Sequence, residues 1–292
     1  MGHKPVLLNE VINFLDPEPG EFFIDGTFGS GGHAQEILKK IGSNGKLLGI
    51  DWDEKNFSAH AISDSRFSYE VANYSDLPEI LKNKNLSKAD GLLLDLGFSS
   101  EQLDSPVGGG RGFSFQKDEP LLMTYNSATK PAKDVLRDLS EEKLARVIKE
   151  FGEERFSGRI ARAIKDQEKI KPIETSGELA RVISQAAPRG YERGRIHPAT
   201  RTFQALRIYV NDELGNLEKV LKNLEEILNP GGRAVIISFH SLEDRIVKNY
   251  FRDFKKVGKL QILTKKPILA SGEEMAANPR SRSAKLRAAE IL

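Results

Sequence analysis

The sequence predicts an α/β protein with a mostly parallel β-sheet, interrupted by an all-helical domain. In the first hundred residues, short apolar runs alternate with helical patterns, whereas the signals from Pro131 to about Ala187 are all helical. Strands separated by helices of about ten to fifteen residues are typical of right-handed βαβ units and a parallel sheet. The runs LLGID and GLLLD are too apolar for a sheet with one wet face, so helices should cover both faces.

Periodicity places the elements of the first hundred residues. Apolar side chains from Leu7 to Leu15 recur at helical spacing, and Asp16 with Pro17 ends this helix. Four strands are predicted to follow, at residues 22–25, 46–51, 67–71 and 91–95. Helices are predicted among them, near residues 32–41, 54–62 and 75–84.

The pattern changes after the fourth strand. Residues 97–116 are rich in Gly and Ser without a period, which is typical of a linker or a lid. Helix starts are then predicted at Ser140 and at Thr175, which has capping-box spacing to Glu178.

The α/β pattern resumes near residue 200. Further helical signals come first, and the turn-forming residues Asn229–Gly232 then lead into another apolar run. Two helices are predicted at 203–214 and 217–228. A fifth buried strand is predicted at 234–238, and a last helix runs through Val247 to Phe251. The predicted domains are a core at 1–104 and 200–292 and an inserted helical domain at 105–199.

Composition restricts the class of protein. The chain has 292 residues, of which 39% are hydrophobic and 29% are charged, as in ordinary globular proteins. It has no apolar run near the length of a membrane span and no signal-peptide pattern, so the cytoplasm is the expected compartment. The absence of cysteine excludes disulfides and thiolate zinc sites, and five scattered histidines predict no catalytic metal.

The charge distribution is uneven. Residues 1–104 carry 9 Lys and Arg against 17 Asp and Glu, a balance of −8. Residues 155–207 carry 12 against 5, or +7, and residues 245–292 carry 12 against 4, or +8. Each charge alone is most simply a solvated one, but two basic blocks of this size favour contact with a polyanion such as a nucleic acid.

A glycine-rich turn after the first strand marks the candidate binding site. Gly29-x-Gly31-x-x-Ala34, with Asp51 ending the next strand, formally matches a dinucleotide-binding fingerprint, and a merely structural tight turn is an alternative. Against NAD, Asp25 ends the first strand close to the turn, where it would repel a pyrophosphate. Asp95 ends the fourth strand beside the same crevice.

Three carboxylates around a glycine turn suit a cationic ligand that carries a ribose and no phosphate. S-adenosylmethionine is such a ligand, since it combines an ammonium, a sulfonium and an adenosine. Asp51 can accept hydrogen bonds from the ribose hydroxyls, and the glycines permit a close approach of the backbone. Tyr74 is placed against the adenine, or is an amphipathic residue at the rim of the sheet.

The acceptor side of the crevice is predicted at Asp95 and Phe98. An acid followed three residues later by an aromatic resembles, without its prolines, the Asp-Pro-Pro-Tyr motif of amino methyltransferases, which grips an exocyclic amine and stacks a flipped base. A capping role for Asp95 is the alternative. His33 is expected to shape the ligand pocket and His240 could reach the acceptor, although single histidines are more often structural.

Long stretches of the chain resemble, in order, the MraW/RsmH family of bacterial small-subunit rRNA (cytosine-N4) methyltransferases. The resemblance rests on IDGTFGSGGH, LLGIDWD, LLLDLGFSSEQLD, RGFSF, FGEERFSGRIARAI, HPATRTFQALRIYVNDEL, NPGGR, SFHSLEDRIVK and NPRSRSAKLRAAE. It implies a class I, Rossmann-like methyltransferase core with an inserted helical domain, S-adenosylmethionine as donor, and a cytidine in the decoding region of 16S rRNA as acceptor. The implied cofactor-binding residues are Gly31, Gly32, His33, Asp51, Tyr74, Asp95 and Gln102.

One segment departs from the family pattern. Where the family reads close to Gly-Pro-Leu-Asp-Met-Arg-Met-Asp, residues 119–126 read EPLLMTYN, so two acids and an arginine are replaced and a lid here could close differently. A DNA amino methyltransferase, an NAD-dependent dehydrogenase and a cofactor-binding rRNA assembly factor with little turnover are the alternatives. The partner is expected to be 16S rRNA or the small ribosomal subunit, and the sequence does not choose between a monomer and a homodimer.

Overall fold

A computed structural model describes residues 5–53, 62–96, 110–194 and 196–292, without the side chains of residues 192 and 193. The chain forms two compact units. The first unit comprises Met1–Gly97 and Leu214–Leu292, and the second comprises Phe98–Glu213. Within the described ranges, no helix is long and apolar enough to cross a membrane.

The first unit is built on a seven-stranded sheet. Its strands are β1 (Phe22–Asp25), β2 (Lys46–Asp51), β3 (Phe67–Val71), β4 (Ala89–Asp95), β5 (Leu228–Ser238), β6 (Leu260–Ile262) and β7 (Lys285–Ile291). Their order is β3-β2-β1-β4-β5-β7-β6. The strands from β3 to β5 are parallel, and β7 runs antiparallel to both β5 and β6. The order reverses between β1 and β4, where open α/β sheets bind their ligands.

The helices are divided between the two units, with α4 to α8 in the second unit. They are α1 (Leu8–Leu15), α2 (Gly32–Lys40), α3 (Leu77–Asn83), α4 (Ala132–Asp138), α5 (Glu141–Gly152), α6 (Ser157–Ile170), α7 (Ser176–Ala186), α8 (Thr200–Asn211), α9 (Glu213–Lys222), α10 (Leu224–Ile227), α11 (Ser241–Lys256) and α12 (Gly272–Ala277). Short 3₁₀ turns are formed by Tyr74–Asp76, Tyr191–Gly194 and Pro279–Ser283.

The sheet is buried on both faces, as its apolar strands predict. In β4, Leu92 and Leu94 join a cluster with residues of α3, α9 and α11, whereas Leu93 joins a second cluster with residues of α1 and α2. Neighbouring side chains of a strand point to opposite faces, so each buried strand contributes to both clusters. The prediction of helices on both faces is confirmed.

The C-terminal half of the sheet differs from the prediction. β5 begins at Leu228, which pairs with Ala89 before a register shift, and the chain then passes Gly231 with a φ of 82°. The predicted turn at 229–232 therefore lies inside the strand, and the predicted helix at 217–228 is divided between α9 and α10. β6 and β7 were not predicted, because basic residues and alanines hide the strand pattern of KLRAAEI. Most of the predicted helix at 54–62 lies outside the described residues.

The second unit contains the predicted helical signals. Ser140 Oγ accepts a hydrogen bond from the Lys143 N–H at the start of α5, and Thr175 and Glu178 form the predicted capping box at the start of α7. The helices enclose their own apolar cluster, which includes Leu136, Ile160 and Ile183, among others.

The extent of the second unit differs from the predicted 105–199 because α8 belongs to it. α8 packs closely against α5: a Cβ atom added to Gly152 would lie 2.5 Å from the Arg201 carbonyl oxygen. This contact needs a residue without a side chain, and the periodicity of α8 alone could not reveal its partner. The unit therefore continues to Glu213.

Candidate active site

The candidate site lies at the carboxyl ends of β1, β2 and β4 in the first unit. β1 pairs with both other strands, so Asp25, Asp51 and Asp95 end three neighbouring strands at the same edge of the sheet. The sequence predicted this grouping from the three strand ends, and the structure brings the carboxylates together around the glycine turn.

The glycine turn needs glycine for its backbone conformation and for its close packing on an aromatic side chain. Gly29 and Gly31 have φ values of 52° and 73°, in the left-handed region that favours glycine. A Cβ atom on Gly31 would approach the Phe28 ring to 2.7 Å, and Phe28 stacks on Phe67 with ring centroids 5.2 Å apart. Gly32 begins α2, where a Cβ atom would lie 2.4 Å from Pro5.

Asp51 ties the turn to the end of β2. Its Oδ2 accepts a hydrogen bond of 2.8 Å from the Gly29 N–H, and its Oδ1 accepts one of 2.8 Å from the Asp53 N–H. The side chain is half-buried. A carboxylate oxygen can accept more than one hydrogen bond, so a hydroxyl group of a ligand can bind to Asp51 alongside these contacts.

Asp25 is the buried acid of the site. Burial raises the pKa of its carboxyl to about 7, while the electrostatic interaction with His33 and a hydrogen bond from the Thr27 N–H oppose this shift. The negative charges of Asp95 and Asp51 raise the pKa further. Sequence reasoning used Asp25 as an argument against a phosphate and as one of three acids that suit a cationic ligand, and the structure places it on the strand between the other two.

Asp95 faces His33. Its N–H donates a hydrogen bond of 2.6 Å to Thr27 Oγ1, and its Oδ2 lies 3.6 Å from His33 Nε2. The exposed fractions of the two side chains are 19% and 8%, respectively. The pair is therefore largely shielded from water but open enough at Asp95 to meet a ligand.

Several polar atoms at this place lack partners. Ser30 Oγ, both ring nitrogens of His33 and Asp95 Oδ1 are buried and have no hydrogen-bond partner among the described residues. Buried polar groups are normally hydrogen-bonded, so this concentration indicates a polar ligand. The carboxylates of the site accept hydrogen bonds and carry negative charge. They therefore fit an ammonium, an amine and ribose hydroxyls better than a phosphate.

Tyr74 lies at the rim of the same sheet edge. It begins the 3₁₀ turn after β3 and is half-buried. A Cβ atom added to Gly26, directly after β1, would lie 3.3 Å from Tyr74 Cβ. The predicted contact of Tyr74 with an adenine stays a prediction. Phe98 and Gln102 lie outside the described residues, and their predicted roles stay predictions.

His240 is the N-terminal capping residue of α11. Its Nδ1 accepts a hydrogen bond of 3.4 Å from the Glu243 N–H, while Glu243 Oε2 accepts from the N–H groups of Phe239 and His240. This reciprocal cap accounts for the His-x-x-Glu spacing. A contact of His240 with the acceptor stays a prediction.

Ser238 was missed by sequence reasoning. It ends β5 next to Ile237, which pairs with Asp95, and its buried Oγ has no hydrogen-bond partner within the described ranges. The available signal was a small polar residue at the end of an apolar strand beside the switch point of the sheet.

The divergent segment at 119–126 is anchored within the second unit. Tyr125 stacks on Phe113 with ring centroids 5.4 Å apart, and its OH donates a hydrogen bond of 2.9 Å to Glu213 Oε1. Asn126 Oδ1 accepts from the N–H groups of Ala128 and Thr129 and so forms a local turn. Tyr125 and Asn126 thus have partners of their own, and an altered lid closure stays a prediction.

The strand order with its antiparallel β7, the glycine turn and the aspartates at three strand ends define a class I S-adenosylmethionine-dependent methyltransferase. The model described as the MraW methylase family matches residues 1–292. The chain belongs to this family, which confirms the family, the fold class and the enzyme class that the sequence predicted.

Relatives of the chain are named as rRNA methyltransferases. Ribosomal RNA small subunit methyltransferase H of Geobacter sulfurreducens is 46% identical, over 99% of this chain and 99% of that protein. The protein of the same name from Deinococcus deserti is 47% identical, over 99% of this chain and 93% of that protein. A solved rRNA methylase from Streptococcus thermophilus aligns with 10% identity and a TM-score of 0.42, over 100% of this chain and 99% of that chain.

Proposed function

We propose that the protein transfers a methyl group from S-adenosylmethionine to N4 of a cytidine in the decoding region of 16S rRNA. The observation that carries the proposal is the cluster of unmet buried polar atoms at Ser30, His33 and Asp95, beside the glycine turn. The names of the relatives support rRNA of the small subunit as substrate. The proposed partner is 16S rRNA or the small ribosomal subunit, and the proposed compartment is the cytoplasm.

The first task of the site residues is to hold the donor. Asp51 accepts hydrogen bonds from the ribose hydroxyls, and Tyr74 packs against the adenine. The backbone at Gly31 and Gly32 and the ring of His33 line the methionine part, whose ammonium suits the acidic surroundings of Asp25 and Asp95. The bound cofactor supplies an electrophilic methyl group on a sulfonium.

The second task is to present the acceptor amine. Asp95 accepts a hydrogen bond from the amino group, and Phe98 stacks near the base. Holding both reactants in line supplies most of the rate enhancement, because it replaces an encounter in solution by a step within one complex. The amine needs no base before it attacks, since its proton can leave afterwards.

Mass spectrometry of 16S rRNA nucleosides before and after incubation with the protein and S-adenosylmethionine tests the proposal. We expect N4-methylcytidine to appear, and fragment mapping should place it in the decoding region. Cofactor binding without methylated product would favour an assembly factor, and methylated DNA under the same conditions would favour the DNA amino methyltransferase. Either outcome contradicts the proposal.

Asp51→Ala should weaken binding of S-adenosylmethionine by about 1.5–3 kcal/mol, the range for hydrogen bonds to a charged group. Isothermal titration calorimetry measures the change directly. Glu79→Ala, which removes an exposed carboxylate on α3, is the matched control and should bind as the wild type does. Unchanged affinity in Asp51→Ala, or tight binding of NAD by the wild type, would contradict the assignment of Asp51.

RNA binding should depend on the two basic blocks. Replacing Arg280 and Arg282, or Arg193 and Arg195, with Ala should reduce the slope of log affinity against log salt by about 0.7 per lost contact with single-stranded RNA. The first pair lies in the 3₁₀ turn before β7, and the side chains of the second pair lie outside the described residues.

A matched control for this experiment removes the same charge elsewhere. Lys39 and Lys40 are exposed at the end of α2, in the acidic first third of the chain. Replacing both with Ala should leave the salt slope of the wild type. Arginine variants that also keep that slope would return those arginines to solvated surface positions.

A further inference from the structure

The second unit presents an exposed imidazole that is stacked on an aromatic support. His197, which precedes α8, is exposed, and its ring lies on Phe115 with centroids 4.4 Å apart and an interplanar angle of 23°. Phe203, a buried residue of α8, meets Phe115 edge-on at 5.2 Å. Phe115 thus covers one face of the imidazole, while His197 as a whole residue remains exposed.

The imidazole is also fixed in orientation. His197 Nδ1 accepts a hydrogen bond of 3.1 Å from the Ala199 N–H. In the neutral ring the proton is therefore on Nε2. The hydrogen bond and the stacking contact together hold the ring before any ligand arrives, which reduces the entropy lost on binding.

The segment of the chain that contains His197 is basic. Residues 155–207 carry a net charge of +7, and Lys117, two residues after Phe115, is exposed and is followed by the acids Asp118 and Glu119. A rigid aromatic surface beside positive charge is the chemistry that binds single-stranded nucleic acid, since bases stack on rings and cations attract phosphates.

We infer that His197, supported by Phe115, is a stacking platform for an unpaired base of the RNA substrate. The inference rests on the proposed function and adds a contact by which the second unit recognises single-stranded RNA. The platform reads the flat face of a base, so it should accept different bases with similar affinity.

Two substitutions separate stacking from the structural role of His197 as a hydrogen-bond acceptor. His197→Asn keeps an acceptor for the Ala199 N–H and removes the aromatic face. His197→Phe keeps the aromatic face and removes the acceptor. Binding is measured with a short single-stranded RNA that contains 2-aminopurine, whose fluorescence falls when it stacks, and thermal unfolding of each variant is recorded.

We expect His197→Asn to bind this RNA about tenfold more weakly and to lose the quenching, with a melting temperature near that of the wild type. His197→Phe should retain the quenching even if it melts earlier. Wild-type binding and quenching in His197→Asn would overturn the inference, as would an equal loss in both variants. The assay needs no cofactor, so its failure is distinct from a failure of the wild type to methylate 16S rRNA.

Discussion

Replacing Asp95 with Asn is expected to lower the rate of methyl transfer by about 100-fold or more, the scale of losing a preorganised polar contact in a transition state. Asp95 Oδ1 is buried and has no hydrogen-bond partner among the described residues, so an incoming amino group meets an acceptor already in place. In the Asn variant one acceptor oxygen becomes a donor, which faces the amine hydrogens. The backbone bond from Asp95 to Thr27 is unaffected by this change.

Single-turnover rates at saturating S-adenosylmethionine isolate the transfer step from weaker cofactor binding. Asp90→Asn is the matched control, because Asp90 lies on the same strand and its carboxylate bonds to the Phe22 N–H and to Asn229 rather than to the site. The control should keep the wild-type rate. If Asp95→Asn also reaches that rate at saturating cofactor, Asp95 is a cofactor ligand only and other groups hold the amine.

The sequence could predict the site where it depends on strand ends. Asp25, Asp51 and Asp95 each follow an apolar run, and parallel strands bring their carboxyl ends to one edge, so their grouping follows from topology. The glycine turn is equally local, since Gly29 and Gly31 adopt conformations that favour glycine.

Features that depend on contacts distant in sequence could not be predicted in the same way. The place of α8 in the second unit depends on its contact with Gly152, which the periodicity of neither helix reveals. β7 was missed because its strand character comes from pairing with β5 and β6, while Lys285 and Arg287 suggested only a basic surface. His240 was considered for contact with the acceptor because the usual capping residues are Ser, Thr, Asp and Asn, so its spacing to Glu243 was not interpreted as a cap.

Replacing Asp25 with Asn is expected to stabilise the first unit at pH 8 relative to the wild type. Burial raises the pKa of the Asp25 carboxyl from 3.8 to about 7. Between these values the folded protein holds a proton that the unfolded chain releases, so stability from this group falls as pH rises through the window. Above pH 7 the carboxylate is charged in both states. The cost of burying this charge then lowers the free energy of unfolding by up to about 4 kcal/mol, for a shift of about three pKa units. Asn stays neutral and keeps an acceptor for the Thr27 N–H.

Urea unfolding of both proteins at several pH values between 5 and 8 measures this difference. The advantage of Asp25→Asn should grow steadily with pH and level off above about 7, because ionisation of the wild-type carboxyl is then complete in both states. Asp64→Asn is the control: hydrogen bonds from Arg66 lower the pKa of the Asp64 carboxyl to about 2, so it is ionised in both states throughout this range. Its effect should therefore be flat with pH. Parallel stability curves for Asp25→Asn and the wild type would mean that the site holds Asp25 charged at neutral pH, and the buried acid of the site would then be a permanent anion rather than one that titrates near pH 7.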